Sequence, residues 1–244
     1  MNERITSAQF MHLWEATNLD TMPHPFEHRT AARSENELFN EKQRLEQWSV
    51  GEADPRLREA IAVLRHPDVS VSVFTEGTEP LLVRGAIRGR YAVVAEQEVR
   101  TAETGDLRIQ VEIGARTPDI GQFVGTLLRG IPAATPGRNR SVDAPPDDLR
   151  PGAGSVGVLQ SALSSGVDLF KKIVARRKAA GYICIHGRWE GARDSILDSL
   201  TWIDVADDGR YLYYTDHLMR LRSATHEVMA ENLERRVRGA LRAP

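Results

Sequence analysis

An α+β fold of helices and largely antiparallel β-strands is predicted by three observations. Apolar residues recur at helical spacing up to Arg65, and the period switches to two at Val69, where valines alternate with serines. The strand-like runs follow one another at hairpin distances, which favours an antiparallel meander over parallel strands that need long crossovers. The order helix, four strands, helix also occurs twice, once on each side of a segment rich in turn formers, so two topologically similar halves are expected.

Thr6 or Ser7 caps a first helix that places Phe10, Leu13, Trp14 and Thr17 on one face, and Gln9 completes a capping box with Thr6. The proline-rich turn from Met22 to Phe26 ends it. Ser34 opens a second helix with Leu38, Leu45 and Trp48 inward, stopped by Gly51. Pro55 sits in the first turn of a third helix, where Leu57, Ile61 and Leu64 are spaced for burial. Strands are expected from Val69 to Val73, Leu81 to Ile87, Tyr91 to Gln97 and Leu107 to Ile113. A short helix from Thr117 to Leu128, capped at Thr117 or Asp119, turns Phe123, Leu127 and Leu128 inward.

Residues 132–157 carry many turn formers and almost no large apolar side chain, which makes them the expected linker between an N-terminal half, 1–131, and a C-terminal half, 158–244. Beyond it, Val158 to Ala179 reads as a long helix with Leu159, Leu163, Val167, Phe170 and Val174 on one stripe. Four strands follow, near Tyr182–Trp189, Ser195–Val205, Arg210–Thr215 and Leu218–Arg222, then a closing helix from Thr225 or His226 to Leu241. Asp207, Asp208 and Gly209 tolerate positive φ and set a tight hairpin between the second and third of these strands. Periodicity does not say whether the two four-stranded sheets join. Two open-edged sheets would invite aggregation.

A net charge of −2 and a pI near 6.4 argue against a dedicated nucleic-acid binder, which needs a basic excess or stripe to neutralise phosphates. Cys184 is the sole cysteine, so no internal disulfide forms. The amino terminus lacks a long apolar core, and no later run approaches the ~20 apolar residues of a membrane span. A cytoplasmic protein that does not engage the membrane is the expectation.

Two motifs invite a chemical reading. Gly152-Ala153-Gly154-Ser155-Val156-Gly157 matches the dinucleotide fingerprint, but the prolines and acids of Pro145–Pro151 before it cannot be the strand that the phosphate-binding mechanism requires. His24-Pro25-Phe26-Glu27-His28 spells an inverted zinc-protease signature, yet Pro23 and Pro25 oppose the helix that would align both imidazoles. His12, His66, His186, His217 and His226 have no paired spacing, and Cys184 lies in the company of a structural thiol. No catalytic residue, cofactor or metal ligand is assigned, and an enzyme is disfavoured.

Several stretches, taken in order, resemble one family. Asp204 to Tyr214, with Asp-Asp-Gly-Arg-Tyr-Leu at 207–212 ahead of a closing helix, is one. Asp54-Pro55-Arg56-Leu57 through Arg65-His66-Pro67-Asp68 into the strand Val69–Val73 is another, followed by Arg84-Gly85-Ala86-Ile87-Arg88-Gly89-Arg90 and Tyr91–Ala95. The opening helix with Phe10, Leu13 and Trp14, and the segment Pro136-Gly137-Arg138 to Ser141-Val142, are similar too. Together these cover most of the chain, which resembles the EspG family, cytosolic chaperones of ESX (type VII) secretion in actinobacteria.

The resemblance implies a shared central, largely antiparallel β-sheet of quasi-two-fold character flanked by helical bundles, and a client of PE-PPE type, a helical heterodimer whose hydrophobic tip the chaperone covers while specifying its secretion system. It places the contact on the sheet surface, on a loop between early strands and on the C-terminal half. By position the loop is Thr75, Glu76, Gly77, Thr78 and Glu79 with Pro80, short enough to limit its reach. In the C-terminal half the contact falls on one face of Tyr182–Trp189, either Cys184, His186 and Arg188 or Tyr182, Ile183 and Ile185. Trp189-Glu190-Gly191 matches the tripeptide of small ESX substrates but ends a strand, and no tyrosine is followed four residues later by an acid, so the chain looks like machinery rather than cargo. The alternatives are a non-catalytic homodimeric scaffold, with a homodimer also expected of the chaperone without its client, and a nucleotide-binding enzyme using residues 152–157.

Overall fold

The computed structural model describes residues 2–75, 80–100, 103–113, 118–139, 141–144, 160–187 and 195–242. Along the chain run β1 (Asn2–Ile5), α1 (Ser7–Glu15), α2 (Glu35–Gly51), α3 (Pro55–Arg65), β2 (Val69–Thr75), β3 (Leu82–Arg88), β4 (Tyr91–Arg100) and β5 (Glu103–Ile113). They are followed by α4 (Ile120–Leu128), β6 (Val142–Ala144), α5 (Gln160–Ala175), β7 (Arg177–His186), β8 (Ile196–Val205), β9 (Gly209–Thr215), β10 (Met219–Ser223) and α6 (His226–Ala240).

Local chemistry sets the helix starts. The Thr6 hydroxyl accepts the Gln9 amide at 3.1 Å while the Gln9 carboxamide accepts the Thr6 amide at 2.9 Å, closing the capping box that the sequence predicts. Ser34, Asp54, Asp119 and Thr225 each accept an amide in the first turn of α2, α3, α4 and α6, and Pro55 occupies the first turn of α3.

The strands form a single sheet in the order β1-β5-β4-β3-β2-β7-β8-β9-β10-β6, with every strand pair antiparallel. Strands β2–β5 and β7–β10 therefore meet edge to edge at the central pair β2–β7, where Ser72 lies opposite Cys184. This junction resolves the question that periodicity leaves open.

Alternation along the strands sends side chains to two faces. One face packs Val69, Val71, Val73, Ile183, Ile185, Leu200 and Leu212 beneath α4 and α6, which contribute Phe123, Leu127, Met229 and Leu233. The opposite face is covered in two blocks. Helices α1 and α3 press Phe10, Trp14, Ile61 and Leu64 onto Ala86, Val93, Leu107 and Ile109. Helix α5 sets Ile173, Leu169 and Phe170 against Ile203, Tyr211 and Leu221. Between the blocks, the centre of that face lies over β2, β7 and β8.

Four features differ from the sequence expectation. Strands β1 and β6 are additional, and β6 falls inside residues 132–157, pairing with β10. Each is too short to show a period, and the described side chains bury Ile5 in one and Val142 in the other. Helix α5 stops at Ala175, not Ala179, because Arg177–Ala180 extend β7 into pairing with β8 from Ile203 to Val205. In α2, Trp48 packs partly against the core, Leu45 is half-buried and Leu38 is 38% exposed, since that helix packs chiefly on α1. Thr117, Leu159, residues 152–157 and Trp189–Gly191 lie outside the described residues, as does the side chain of Leu163.

Candidate functional site

The register of the central strands places Cys184 and His186 on one face, opposite Ser72 and Ser70 of β2, with Tyr182 opposite Phe74 and Ser199 and Thr201 of β8 on the far side. Over β2 the segment around His24 lies on this face and Ser70 and Ser72 are fully buried, whereas Tyr182, Cys184 and Thr201 of β7 and β8, which join neither packed helical block, are half-buried. Ile183 and Ile185 point the other way and are 0% and 1% exposed, so of the two strand faces only that of Tyr182, Cys184 and His186 opens on this side.

An aromatic row borders the surface. The His24 ring meets Phe74 edge-on at 4.6 Å, and Phe74 stacks on Tyr182 at 5.1 Å. His24 is exposed, whereas Phe74, Tyr182, Cys184 and Thr201 are half-buried. Ile196, paired opposite His186 past a register shift in β8, is 61% exposed. A partly apolar floor with hydroxyl and thiol edges results, open enough to be touched.

Beneath its rim lies a buried polar cluster. Arg84 is fully buried; its Nη1 donates to the His24 carbonyl at 2.9 Å and to Ser72 Oγ at 3.3 Å, and its Nη2 donates to Ser70 Oγ at 3.1 Å. Ser72 Oγ donates to the same His24 carbonyl at 3.2 Å and lies 3.3 Å from His186 Nε2. These bonds pin the segment around His24 to the sheet, because each buried donor would otherwise lose its solvation without return. His186 belongs to this support: at 5% exposure it braces the floor and does not present a contact surface.

The remaining expected positions separate. Thr75 ends β2 opposite Gly181; its amide donates to the Leu81 carbonyl at 3.0 Å and its hydroxyl accepts the Leu81 amide at 2.7 Å, so it closes the turn to β3. His186 pairs with Ser70, five residues from Thr75 along β2, which puts the two ends roughly 17 Å apart. Glu76, Gly77, Thr78, Glu79 and Arg188 lie outside the described residues.

Chemistry at this surface is not nucleophilic. Burial pushes the Cys184 thiol above its ordinary value, favouring the unreactive protonated form. Among the described residues no three His, Cys, Asp or Glu side chains are grouped to hold a metal. The two histidines of the proline-rich turn diverge, His24 onto Phe74 and His28 Nδ1 to within 3.1 Å of Ser7 Oγ.

Sequence reasoning treats the 204–214 hairpin as a plain turn, and the structure adds a lock. Arg210, 1% exposed, donates Nε and Nη2 to the two Asp204 oxygens at 2.7 and 2.8 Å. The legible signal was their placement flanking the turn, since Asp204 and Arg210 are cross-strand partners. Asp208 accepts from the Arg138 amide, the Asn139 carboxamide and the Tyr211 hydroxyl, binding residues 138–139 to the turn.

The family model described as the EspG family matches residues 6–235. Among solved structures, the Mycobacterium tuberculosis type VII secretion system chaperone EspG5, in complex with the PE25-PPE41 dimer, superposes with a TM-score of 0.63 at 15% identity, covering 99% of this chain and 96% of that one. M. tuberculosis HtdX gives a TM-score of 0.14 at 11% identity over 65% of this chain and 76% of that one, too distant to carry an argument. No curated protein matches the sequence.

Proposed function

The chain belongs to the EspG family, and from that premise we propose that it is a cytosolic chaperone that covers the hydrophobic helical tip of a PE-PPE type heterodimer, keeps it soluble and directs it to its type VII secretion system. The observation that carries the reading is the part of the sheet face at β7 and β8 where, among the described residues, Tyr182, Cys184 and Thr201 remain half-buried beside Phe74 and join neither helical block. The EspG5 complex supplies a neighbour of the same fold seated on such a dimer. Among the described residues no helix is long and apolar enough to cross a membrane, which is compatible with action in the cytosol.

The mechanism is binding without chemical conversion. A helical client with an exposed apolar tip self-associates unless that patch is covered. Covering ~300 Å² removes roughly 7 kcal/mol of apolar exposure at ~25 cal/mol/Å², comparable to the ~4–15 kcal/mol cost of association. Polar edges such as Ser199 and Thr201 must add to the apolar contact, and a modest net affinity permits release. We assign the contact to Cys184 with its neighbours, to Arg188 beyond the end of β7, and to the turn Thr75, Glu76, Gly77, Thr78 and Glu79, with His186 acting from beneath.

Co-expression with a PE-PPE pair from the same genome tests the reading. Co-elution in size-exclusion chromatography is expected, as is its loss in a Tyr182→Glu, Cys184→Glu double variant whose circular dichroism is unchanged. Separate elution of folded chaperone and folded heterodimers, across the pairs encoded in that genome, would overturn it.

A further inference from the structure

A second concave surface lies between α3 and the β3–β4 turn, apart from the sheet centre. Its volume is about 440 Å³, inside the ~300–1,000 Å³ range of small-ligand pockets. The floor is apolar: Ala62 and Val63 of α3 and the half-buried ring of Tyr91. Arg88 and Arg90 rise from the turn on one side and Glu59 from α3 on the other.

Both walls are rigid. Val63 is 5% exposed and shares the packed core of Leu57, Ile61 and Leu64. Gly89 takes a φ of +55° that an L side chain rarely adopts, and its amide donates to Asp68 Oδ2 at 2.8 Å, which fixes the turn and engages that carboxylate. Arg90 places its guanidinium carbon 5.9 Å from the centre of the Tyr91 ring, directing charge over the aromatic face.

The local field is positive although the whole chain carries a net charge of −2. The neighbouring His66 reflects it: burial, then the charges of Arg65 and Arg88, lower its tendency to protonate. Two exposed guanidiniums stand over the apolar floor with Glu59 across from them, while the second carboxylate beside the turn, Asp68, is held by the Gly89 amide. An anionic group pairs with planar guanidinium in two-pronged fashion, while the floor accepts an aliphatic side chain beside it.

The geometry points to a docking site for an acidic peptide segment of a partner protein, one that presents an aliphatic side chain next to carboxylates. The aliphatic group enters between Val63 and Tyr91, and the carboxylates meet Arg88 and Arg90. This site lies beyond the Val69 end of β2, opposite to the Thr75 turn, so a client on the sheet centre and a segment here do not compete for the same residues.

The test uses the full-length chain and the blocked tripeptide acetyl-Leu-Asp-Glu-amide, followed by amide NMR shifts. Saturable shifts at Ala62, Val63, Gly89 and Tyr91 are expected, with half-saturation on the order of 1 mM, usual for a small ligand in an open pocket. The double variant Arg88→Glu, Arg90→Glu should weaken binding at least about tenfold by removing the charge pairing. Ala62→Trp, an exposed position that fills the pocket without entering the core, should also abolish it and serves if the charge variant misfolds. Absence of saturable shifts, an equal response to acetyl-Leu-Lys-Lys-amide or to inorganic phosphate alone, or binding undiminished in the variants would each overturn the proposal.

Discussion

Arg210 is a charge kept out of water by one partner. Its side chain is 1% exposed and, among the described residues, its two bonds to Asp204 compensate that burial, with the Asp204 side chain itself 13% exposed. Deleting one member strands the other, so Asp204→Ala should destabilise the fold by about 3–5 kcal/mol, read from urea denaturation. Replacing both with well-packed apolar residues should cost far less, because the pair's net contribution is small once desolvation is counted. Gly181 makes a steric case: a Cβ there would lie 2.0 Å from the Trp202 ring. Gly181→Val should cost about 1–3 kcal/mol or more by overpacking, visible as a lowered thermal midpoint.

Cys184 offers a probe at the same scale. Half-buried and with its thiol pushed up by burial, it should react with a maleimide well below the rate of a free cysteine at neutral pH. Bound client should slow that reaction further. Protection absent in a verified complex would remove Cys184 from the contact.

Residues 135–139 and β6 are sewn as a strap to the last hairpin. The Gly137 amide donates to the Arg210 carbonyl at 2.9 Å, the Arg210 amide to the Thr135 carbonyl at 2.7 Å, and Ser223 Oγ to the Gly137 carbonyl at 2.7 Å. Gly137 lies against the Tyr211 ring, where a Cβ would stand 2.1 Å from it. The strap ends in β6, which covers part of β10 and leaves a short outer edge of the kind natural sheets use against edge-to-edge pairing.

Asp208 ties this strap by charge. Burial alone would raise its carboxyl, but hydrogen bonds from the Arg138 amide, Tyr211 and Asn139 outweigh that and lower it below the ordinary value. A carboxyl lowered in the folded state contributes stability that is full above its unfolded value, near ~4, and fades as pH falls through the folded value. Wild-type protein should therefore lose this contribution as pH drops from ~5 to below ~4, and Asp208→Asn should flatten that part of the stability–pH curve. Hydrogen exchange at Arg138 and Asn139 should rise in the same variant.

At the level of the molecule, the helix–strand order and the antiparallel meanders were legible because each element has enough residues to show a period. The capping box at Thr6 and Gln9 and the caps at Ser34 and Thr225 were visible for the same local reason. What the sequence did not show depends on distant partners. β1 exists only because β5 offers it a ladder, and β6 only because β10 does. The site follows the same rule. The alternation of Tyr182–His186 offered two faces, and only pairing to Ser72 and Ser199 decided which one opens. The burial of His186 beneath Arg84 and Ser72 required the fold, since residues 72 and 186 are brought together by the sheet alone.

The junction at the middle of the sheet has a temporal consequence. β2 emerges from the ribosome early, but its neighbour β7 is encoded more than a hundred residues later, so the nascent first meander carries an unpaired inner edge throughout that interval. Long-range pairing of this sort slows folding and exposes such edges to other chains. The interval before β7 is made is thus the stage at which this edge is most open to pairing with another chain.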